Sequence, residues 1–220
     1  MDAISCIKTR QSIRAFLKDP VPEGLLQEIV ETASWSPSYK NTQPWEVMIL
    51  SGPKKEALSS MLVKLLEEGA EPTPDIPEPI SWPPVQQTRI DRLVEMRKKA
   101  TGIDISDPKI IKKAKKANFR FYGAPHAIYL YQDRDLPLWS LFDIGLFAQS
   151  LMLAAHEKGL GTVPQAFVTD YAKQTKEFLG IPESKRLVIG MSLGYPDKDS
   201  AANKIRTDRA PVNEILTMLS

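Results

Sequence analysis

One helical segment sets the strongest limit on the architecture, because residues 142–158 are apolar on almost every side. The apolar positions of this segment and its entry are Leu141, Phe142, Ile144, Leu146, Phe147, Leu151, Met152, Leu153, Ala154 and Ala155. A helix that is apolar all round has to be buried all round. Two architectures meet that requirement. The segment is either the central helix of a monomer, or it packs on a sheet and also forms a subunit interface.

The remaining elements predict an α+β fold. Apolar runs at 47–50, 127–131 and 187–193 are predicted to be short buried strands. Amphipathic helices are predicted over 54–68 and from Glu23 onward, the second with an inner face of Leu25, Leu26, Ile29, Val30 and Ala33. Long helical stretches separate the strands without a strand–helix–strand rhythm, so we expect a central mixed or antiparallel sheet flanked by helices. The long helix is expected to end at Gly159 and lead into a loop.

The least regular part of the sequence lies between the early helices and the second strand. Residues 71–84 contain six of the 18 prolines, which excludes a helix or a central strand there. Asp107 and Pro108 are predicted to cap a helix with the inner face Ile110, Ile111, Ala114 and Ala117. The lysines on its other sides allow a nucleic-acid patch or a solvated face, and the lack of interleaved aromatic residues favours the solvated face.

Composition excludes several classes of protein. The net charge of +2 gives no electrostatic basis for binding nucleic acid or an anionic membrane. The single cysteine, Cys6, cannot form an internal disulfide and favours a reducing cytoplasm. Together with His126 and His156 it makes no metal-binding pattern, and we expect no metal. The sequence has neither the apolar core of a signal peptide nor an apolar run of transmembrane length, so we expect a cytoplasmic protein.

The N-terminal motif RQSIRAF carries the first candidate site. Arg10, Ser12 and Arg14 alternate, and alternate positions of an extended chain point the same way. Two guanidinium groups and a hydroxyl suit a phosphate, which accepts several directional hydrogen bonds. Taken alone, the motif is more typical of ordinary surface charges.

Five motifs in order make the chain resemble a known family. They are RQSIRAF, SPSYKNTQPW, RFYGAPHAIYL, DIGLFAQSLMLAAHEKGLGTVPQ and LGYPDKDSAANKIRTDRAPV. This set resembles the FMN-dependent nitroreductase family, in particular the branch that includes nitrobenzoate reductases. The resemblance spans nearly the whole chain and implies one domain over 1–220, with a lobe at about 70–118 that covers the active site.

The resemblance also implies roles for individual residues. The FMN phosphate would be held beside Gln11 by Arg10, Ser12 and Arg209, with Arg206 or Lys204 supplying a further charge. Arg14 would approach flavin N1 and O2, where a cation stabilises reduced flavin. The other subunit would contribute Pro37, Ser38, Tyr39 and Asn41. The flavin N5 edge would face a backbone N–H within the segment Pro164, Gln165 and Ala166, which departs from the family's usual Pro-x-Glu-Gly. The acceptor would meet Tyr39, Trp82 and Gln86.

The implied activity is an oxidoreductase reaction in an intertwined homodimer built around residues 142–158. NAD(P)H would pass hydride to flavin N5, and a nitroaromatic, a quinone or a similar flat acceptor would then take the electrons in a ping-pong cycle. No side chain is needed as nucleophile or general acid, and His156 is expected to cap a helix end. Two alternatives stay open: other flavin chemistry such as reductive dehalogenation, and a non-catalytic flavin carrier or sensor. The sequence does not distinguish NADH from NADPH.

Overall fold

The computed structural model describes residues 1–102 and 107–219, so residues 103–106 of the predicted lobe and Ser220 lie outside the described residues. The α+β fold is confirmed. The helices are α1 (Ala3–Thr9), α2 (Glu23–Ser34), α3 (Gly52–Glu67), α4 (Pro84–Thr101), α5 (Pro108–Phe119), α6 (Trp139–Glu157) and α7 (Ala172–Leu179). The strands are β1 (Glu46–Ser51), β2 (His126–Asp133), β3 (Gly161–Gln165) and β4 (Lys185–Gly194).

The four strands form one antiparallel sheet in the order β1-β2-β4-β3. The three predicted strands are confirmed as the inner parts of β1, β2 and β4. The loop predicted after Gly159 is wrong, since residues 161–165 pair with β4 as an edge strand. Pro164 is tolerated there because an edge strand leaves one side of its backbone free of ladder bonds.

Helices cover both faces of the sheet. On one face α2 and α6 pack against Ile128, Leu130 and Met191. On the other face α3 and α7 pack against Tyr129 and Leu187. Residues 128, 129 and 130 therefore alternate between the two cores, as the pleat of a strand requires. The sheet is buried on both faces, which leaves its edges and loops to form sites.

Within the single chain, helix α6 is buried on one side only. Ile144, Phe147 and Leu151 face the core and are at most 1% exposed. At its N-terminal end Trp139 and Phe142 are 70% and 62% exposed. Of the two architectures left open by the sequence, the central helix of a monomer would not leave these aromatic rings in water. An apolar surface of this kind marks an interaction site.

Helix α5 begins at the predicted cap, where the Asp107 carboxylate accepts a hydrogen bond from the Lys109 backbone N–H at 2.8 Å. Its predicted inner face is partly wrong, because Ile111 is 42% exposed. The lysines of its last turns pair with carboxylates: Lys115 with Asp170 at 3.0 Å and Lys116 with Glu67. Lys109, Lys112 and Lys113 are exposed, which agrees with a solvated face, whereas Asp170, the partner of Lys115, is buried.

The proline-rich stretch is irregular, as predicted, and is fastened to the body of the protein at Asp75. The Asp75 carboxylate accepts a hydrogen bond from the Leu187 backbone N–H at 2.8 Å and pairs with Arg134 and Lys176 at 2.6 and 3.2 Å. Helix α4 follows this stretch and has no buried residue. It lies over the protein surface and packs against it through partly exposed side chains.

Candidate functional site

The N-terminal edge segment, residues 10–17, extends the sheet beyond β3. The Ile13 N–H donates to the Thr162 carbonyl at 3.0 Å, and the Leu17 N–H donates to the Tyr195 carbonyl at 2.9 Å. Ile13 is buried against Gly161, where a Cβ atom would meet Ile13 Cγ1 at 2.6 Å. The missing side chain of Gly161 therefore allows the edge segment to approach β3 closely.

The two arginines of the motif have different charged neighbours. The charge of Arg10 interacts with Arg206 and Arg209, whereas the charge of Arg14 interacts with Arg97 of α4. Arg14 Nη1 donates to the Ser12 carbonyl oxygen at 3.3 Å. The motif therefore contributes to two neighbouring cationic groups.

The first site, the arginine cluster, consists of Arg10, Arg206 and Arg209. Burial and then the charges of Arg209 and Arg206 lower the pKa of the Arg10 guanidinium. Arg10 Nη1 is buried and has no hydrogen-bond partner, and within the described ranges no carboxylate forms an ion pair with any of the three. Three like charges and an orphaned donor are costly to bring together, and an anion bound among them would offset that cost.

A cavity of about 380 Å³ adjoins the arginine cluster. Its wall includes Arg10, Lys198, Arg206 and His156. His156 does not cap a helix with its side chain as expected. Its Nε2 lies 2.8 Å from Thr9 Oγ1, and burial, followed by the charges of Arg10 and Arg206, lowers its pKa. The cavity is therefore bordered by positive charge, with a neutral imidazole at one side.

Asn203 fixes the backbone of this region and was not singled out by the sequence. It is buried, and its Oδ1 accepts from the Arg14 backbone N–H at 2.7 Å. Its Nδ2 donates to the carbonyl oxygens of Ala15 and Asp197, both at 2.8 Å. The Gln11 side chain donates to the Asn203 carbonyl at 2.9 Å, and Gln11 also lines the cavity. A buried amide can satisfy all these groups at once.

The serine-proline turn, residues 36–43, lies apart from the edge segment and packs on α6. The Tyr39 N–H donates to the buried Asp143 carboxylate at 3.2 Å, and the Gln43 N–H donates to Ser38 Oγ at 2.9 Å. Lys40, Asn41 and Gln43 adopt positive φ values of 51°, 57° and 47°. Such strain persists where the surroundings enforce it and often marks a functional site. The side chains of Pro37, Tyr39 and Asn41 are exposed, and no hydrogen bond in the described part of the chain joins this turn to the edge segment.

The β3 residues divide between the core and the surface. The Gln165 side chain is buried, donating to Asn118 and accepting from Ser192 Oγ at 2.5 Å. Its side chain is therefore unavailable to a ligand, whereas the predicted flavin contact was through the backbone of this segment. Pro164 and Ala166 are exposed on either side of it. Of the three predicted residues, these two present a surface to a ligand.

Helix α4 closes the region from the outside. Arg89 and Arg92 pair with Glu214 and Asp208 of the C-terminal segment at 3.3 and 3.0 Å. Arg97 is half-buried and lies near Arg14. The predicted acceptor residues Trp82 and Gln86 are exposed where α4 begins.

No group of three His, Cys, Asp or Glu within 1–102 and 107–219 is placed to hold a metal ion. In the same ranges, none of the helices combines the length and the apolar character that crossing a bilayer demands.

Comparison with known proteins finds close similarity along the whole chain. Residues 7–195 match the sequence profile described as the nitroreductase family. The chain is 34% identical over 209 residues to the 4-nitrobenzoate reductase of Pseudomonas putida, covering 94% of this chain and 91% of that protein. It is 35% identical over 213 residues to nitroreductase NfnB of Mycolicibacterium smegmatis, covering 94% and 88%.

A solved structure agrees with these sequence matches. The crystal structure of the FMN-dependent nitroreductase NfnB from Mycobacterium smegmatis in complex with NADPH superposes with a TM-score of 0.93 at 33% identity. The match covers 99% of this chain and 98% of that one.

Proposed function

The chain belongs to the nitroreductase family, and from that membership we propose that it is an FMN-dependent oxidoreductase. It passes electrons from NAD(P)H to nitroaromatics, quinones or similar flat acceptors. The relatives described as 4-nitrobenzoate reductase and as an FMN-dependent nitroreductase in complex with NADPH support this activity.

The observation that carries the proposal is the arginine cluster with its orphaned donor. Arg10 Nη1 is buried without a partner beside Arg206 and Arg209. A phosphate monoester offers the charge and the acceptor oxygens that this arrangement lacks. Arg10, Arg206 and Arg209 would hold the FMN phosphate, and Ser12 would add a hydroxyl. Lys204 is exposed and remains a further source of charge.

The flavin ring would lie toward Arg14 and the exposed edge of β3. When bound, FMN supplies the redox chemistry, accepting hydride and delivering electrons to the acceptor. Arg14 would stabilise negative charge at the N1–C2 side of the ring. Pro164 and Ala166, with the backbone of Gln165, would border the N5 edge. None of these residues needs to gain or lose a proton.

A second copy of the chain would complete the site. Pro37, Ser38, Tyr39 and Asn41 are held in a rigid turn away from the edge segment, so they would serve the site of a partner. The exposed apolar end of α6 supports pairing of two copies. We therefore propose a homodimer with the flavin at the interface.

The lobe at about 70–118 is proposed to cover the site as part of a single domain over 1–220. Trp82 and Gln86, with the partner's Tyr39, would border the acceptor. A cytoplasmic location is proposed because Cys6 is a free, buried thiol.

The visible absorption spectrum of the purified protein, recorded without oxygen before and after NADH or NADPH, tests the proposal. We expect a flavin band that bleaches with the nicotinamide donor and returns when 4-nitrobenzoate or a quinone is added. A flavin that binds but is never reduced would indicate a carrier or sensor. Halide release from halogenated aromatics, without nitro reduction, would indicate reductive dehalogenation.

A further inference from the structure

Helix α4 is joined to the C-terminal segment, residues 207–214, by two ion pairs. Arg92 Nη1 lies 3.0 Å from Asp208 Oδ2, and Arg89 Nη2 lies 3.3 Å from Glu214 Oε2. Arg89 and Arg92 are three positions apart in the helix, so their side chains share one face. This face therefore holds one short segment of chain at two points.

A cavity separates much of the helix from the segment that it holds. It has a volume of about 800 Å³, and its wall includes the apolar side chains of Val85, Leu93, Met96 and Ile215. Side chains on opposite sides of a cavity do not gain the dispersion energy of direct contact. A larger share of the attachment consequently falls to the two ion pairs, whose members also line the cavity.

The segment carries Arg209, one of the three members of the arginine cluster. The Arg209 side chain folds back on its own segment, where Nη1 donates to Thr207 Oγ1 at 2.8 Å and to the Asp208 carbonyl oxygen at 2.7 Å. Arg209 is exposed, so without these contacts its long side chain would sample many conformations. The backbone at 207–208 therefore sets the position of this guanidinium group, and Arg92 holds that backbone to α4 through Asp208.

We propose that Arg92 is a positioning residue for cofactor binding, which acts through Asp208 to hold Arg209 in place for the FMN phosphate. The inference rests on the proposed function, in which Arg209 contacts that phosphate, and it adds how the guanidinium group is held. A donor that is already in its bound conformation loses less conformational entropy when the ligand arrives. Arg89 supports the same segment through Glu214. Since α4 belongs to the lobe that covers the site, cofactor binding and the placement of the lobe stabilise each other.

The sign of the effect at Asp208 distinguishes positioning from direct electrostatics. A carboxylate beside a phosphate site repels the phosphate, so on charge alone Asp208→Asn would tighten FMN binding. If Asp208 holds Arg209 in place, the same substitution weakens FMN binding. Arg92→Gln weakens binding on either account, so the informative measurement is the one made on Asp208→Asn.

The test measures the dissociation constant of FMN by fluorescence titration of the flavin-free full chain. Arg92→Gln and Asp208→Asn should each weaken binding about threefold, which is the size expected of one exposed ion pair. The double variant should be no weaker than either single variant, because both substitutions remove the same contact. Binding of riboflavin, which lacks the phosphate, should not change. In an Arg209→Gln background, Arg92→Gln should have no further effect.

Lys99→Gln is the matched control for Arg92→Gln, since it removes a positive charge from another exposed position of α4. It should leave the dissociation constant of FMN unchanged. A loss equal to that of Arg92→Gln would mean that the total charge of the helix, and not the contact with Asp208, determines affinity.

Three further results would overturn the inference. One is tighter or unchanged FMN binding in Asp208→Asn. Another is a loss from Arg92→Gln that persists in the Arg209→Gln background, which would show that Arg92 does not act through Arg209. The third is an equal loss of affinity for riboflavin, which would assign the ion pair to the flavin ring or to the fold. Failure of the proposed function is distinguishable, because the unsubstituted protein would then bind no FMN, or would bind FMN that NAD(P)H never reduces.

Discussion

Arg10 shows how a single side chain can be poorly accommodated in the protein alone and suited to a ligand. Its Nη1 is buried without a partner, and its neighbours Arg206 and Arg209 carry the same charge. Arg10→Gln should lower FMN affinity at least about tenfold, because a charge-assisted hydrogen bond is lost. The melting temperature of the flavin-free protein should not fall, because like-charge repulsion is relieved at the same time. FMN fluorescence titration and thermal unfolding measure the two effects.

Lys64→Gln is the matched control for Arg10→Gln, since Lys64 is an exposed cation that pairs with Glu68 on α3. It should change neither the FMN affinity nor the melting temperature, because exposed ion pairs contribute little to stability. If Arg10→Gln retained full FMN affinity, the arginine cluster would not be the phosphate site.

The roles of individual residues were only partly accessible from the sequence. Arg10 and Arg206 lie at opposite ends of the chain, and no periodicity links them. Only the family resemblance assigned both to one phosphate site. Asn203 was missed because a lone asparagine in a polar segment has no pattern that reveals burial. Gln165 was assigned to the flavin through the backbone of its segment, and the sequence did not reveal that its side chain is used inside the protein by Asn118 and Ser192. Only the fold decides which way such a side chain points.

At the level of elements, the contact between the edge segment and β3 depends on Gly161. A Cβ there would meet Ile13 Cγ1 and Cβ at 2.6 and 2.9 Å. Gly161→Ala should destabilise the protein by about 1–3 kcal/mol, since inserting a methyl group into a packed contact forces the backbone apart. It should also weaken FMN binding, because Arg10 and Arg14 lie on the displaced segment. Chemical denaturation and FMN titration measure both effects.

Gly24→Ala supplies the control for Gly161→Ala. A Cβ at Gly24 meets nothing within 4 Å, and its position in α2 favours alanine over glycine. This variant should be as stable as the parent protein or slightly more stable. Replacing Ile13 with alanine in the Gly161→Ala background should recover part of the loss. If the losses in free energy of unfolding from the two substitutions simply added in the double variant, the two side chains would not collide.

Among the elements, strands and helices with a clear apolar period were predicted well, and exceptions have physical causes. β3 was assigned to a loop because its sequence, GTVPQ, begins with glycine and contains proline. Both residues are compatible with an edge strand, where Gly161 admits Ile13 and Pro164 needs no ladder bond on its outer side. Ile111 of α5 was expected inside because it is apolar, but helices commonly leave single apolar residues in water.

At the scale of the whole molecule, His126 makes stability depend on pH. It is buried, and its Nε2 accepts a hydrogen bond from the Val21 N–H at 2.9 Å, which requires the neutral ring. Burial, and then the Lys55 ammonium, lower the pKa of His126 below its usual 6.5. The unfolded chain therefore binds the proton more readily, and stability should be fully present above about pH 6.5 and decline as the pH falls. Urea unfolding between pH 7.5 and 5 measures the slope.

The pKa of His156 is also lowered, so the contributions of the two histidines to the pH dependence of stability must be measured separately. His126→Asn should flatten the decline below pH 6.5, at the cost of lower stability at pH 7.5. His156→Gln should flatten this decline as well, with a smaller loss of stability at pH 7.5, because the His156 ring is less buried. An unchanged slope in both variants would mean that carboxylates alone control the acid side.

The exposed apolar end of α6 indicates that the single chain is not the whole assembly, and the proposed homodimer can be tested at this surface. Phe142 is 62% exposed in one chain, so Phe142→Glu should leave the fold intact while placing a charge in the proposed interface. We expect the parent protein to sediment as a dimer of 24.7 kDa chains and the variant as a monomer. The monomer should also lose FMN, because the turn bearing Tyr39 and Asn41 would serve only a partner's site. Lys173→Glu, a charge change at an exposed position of α7, should stay dimeric and retain flavin. A Phe142→Glu monomer that retains FMN would show that each chain completes its own site.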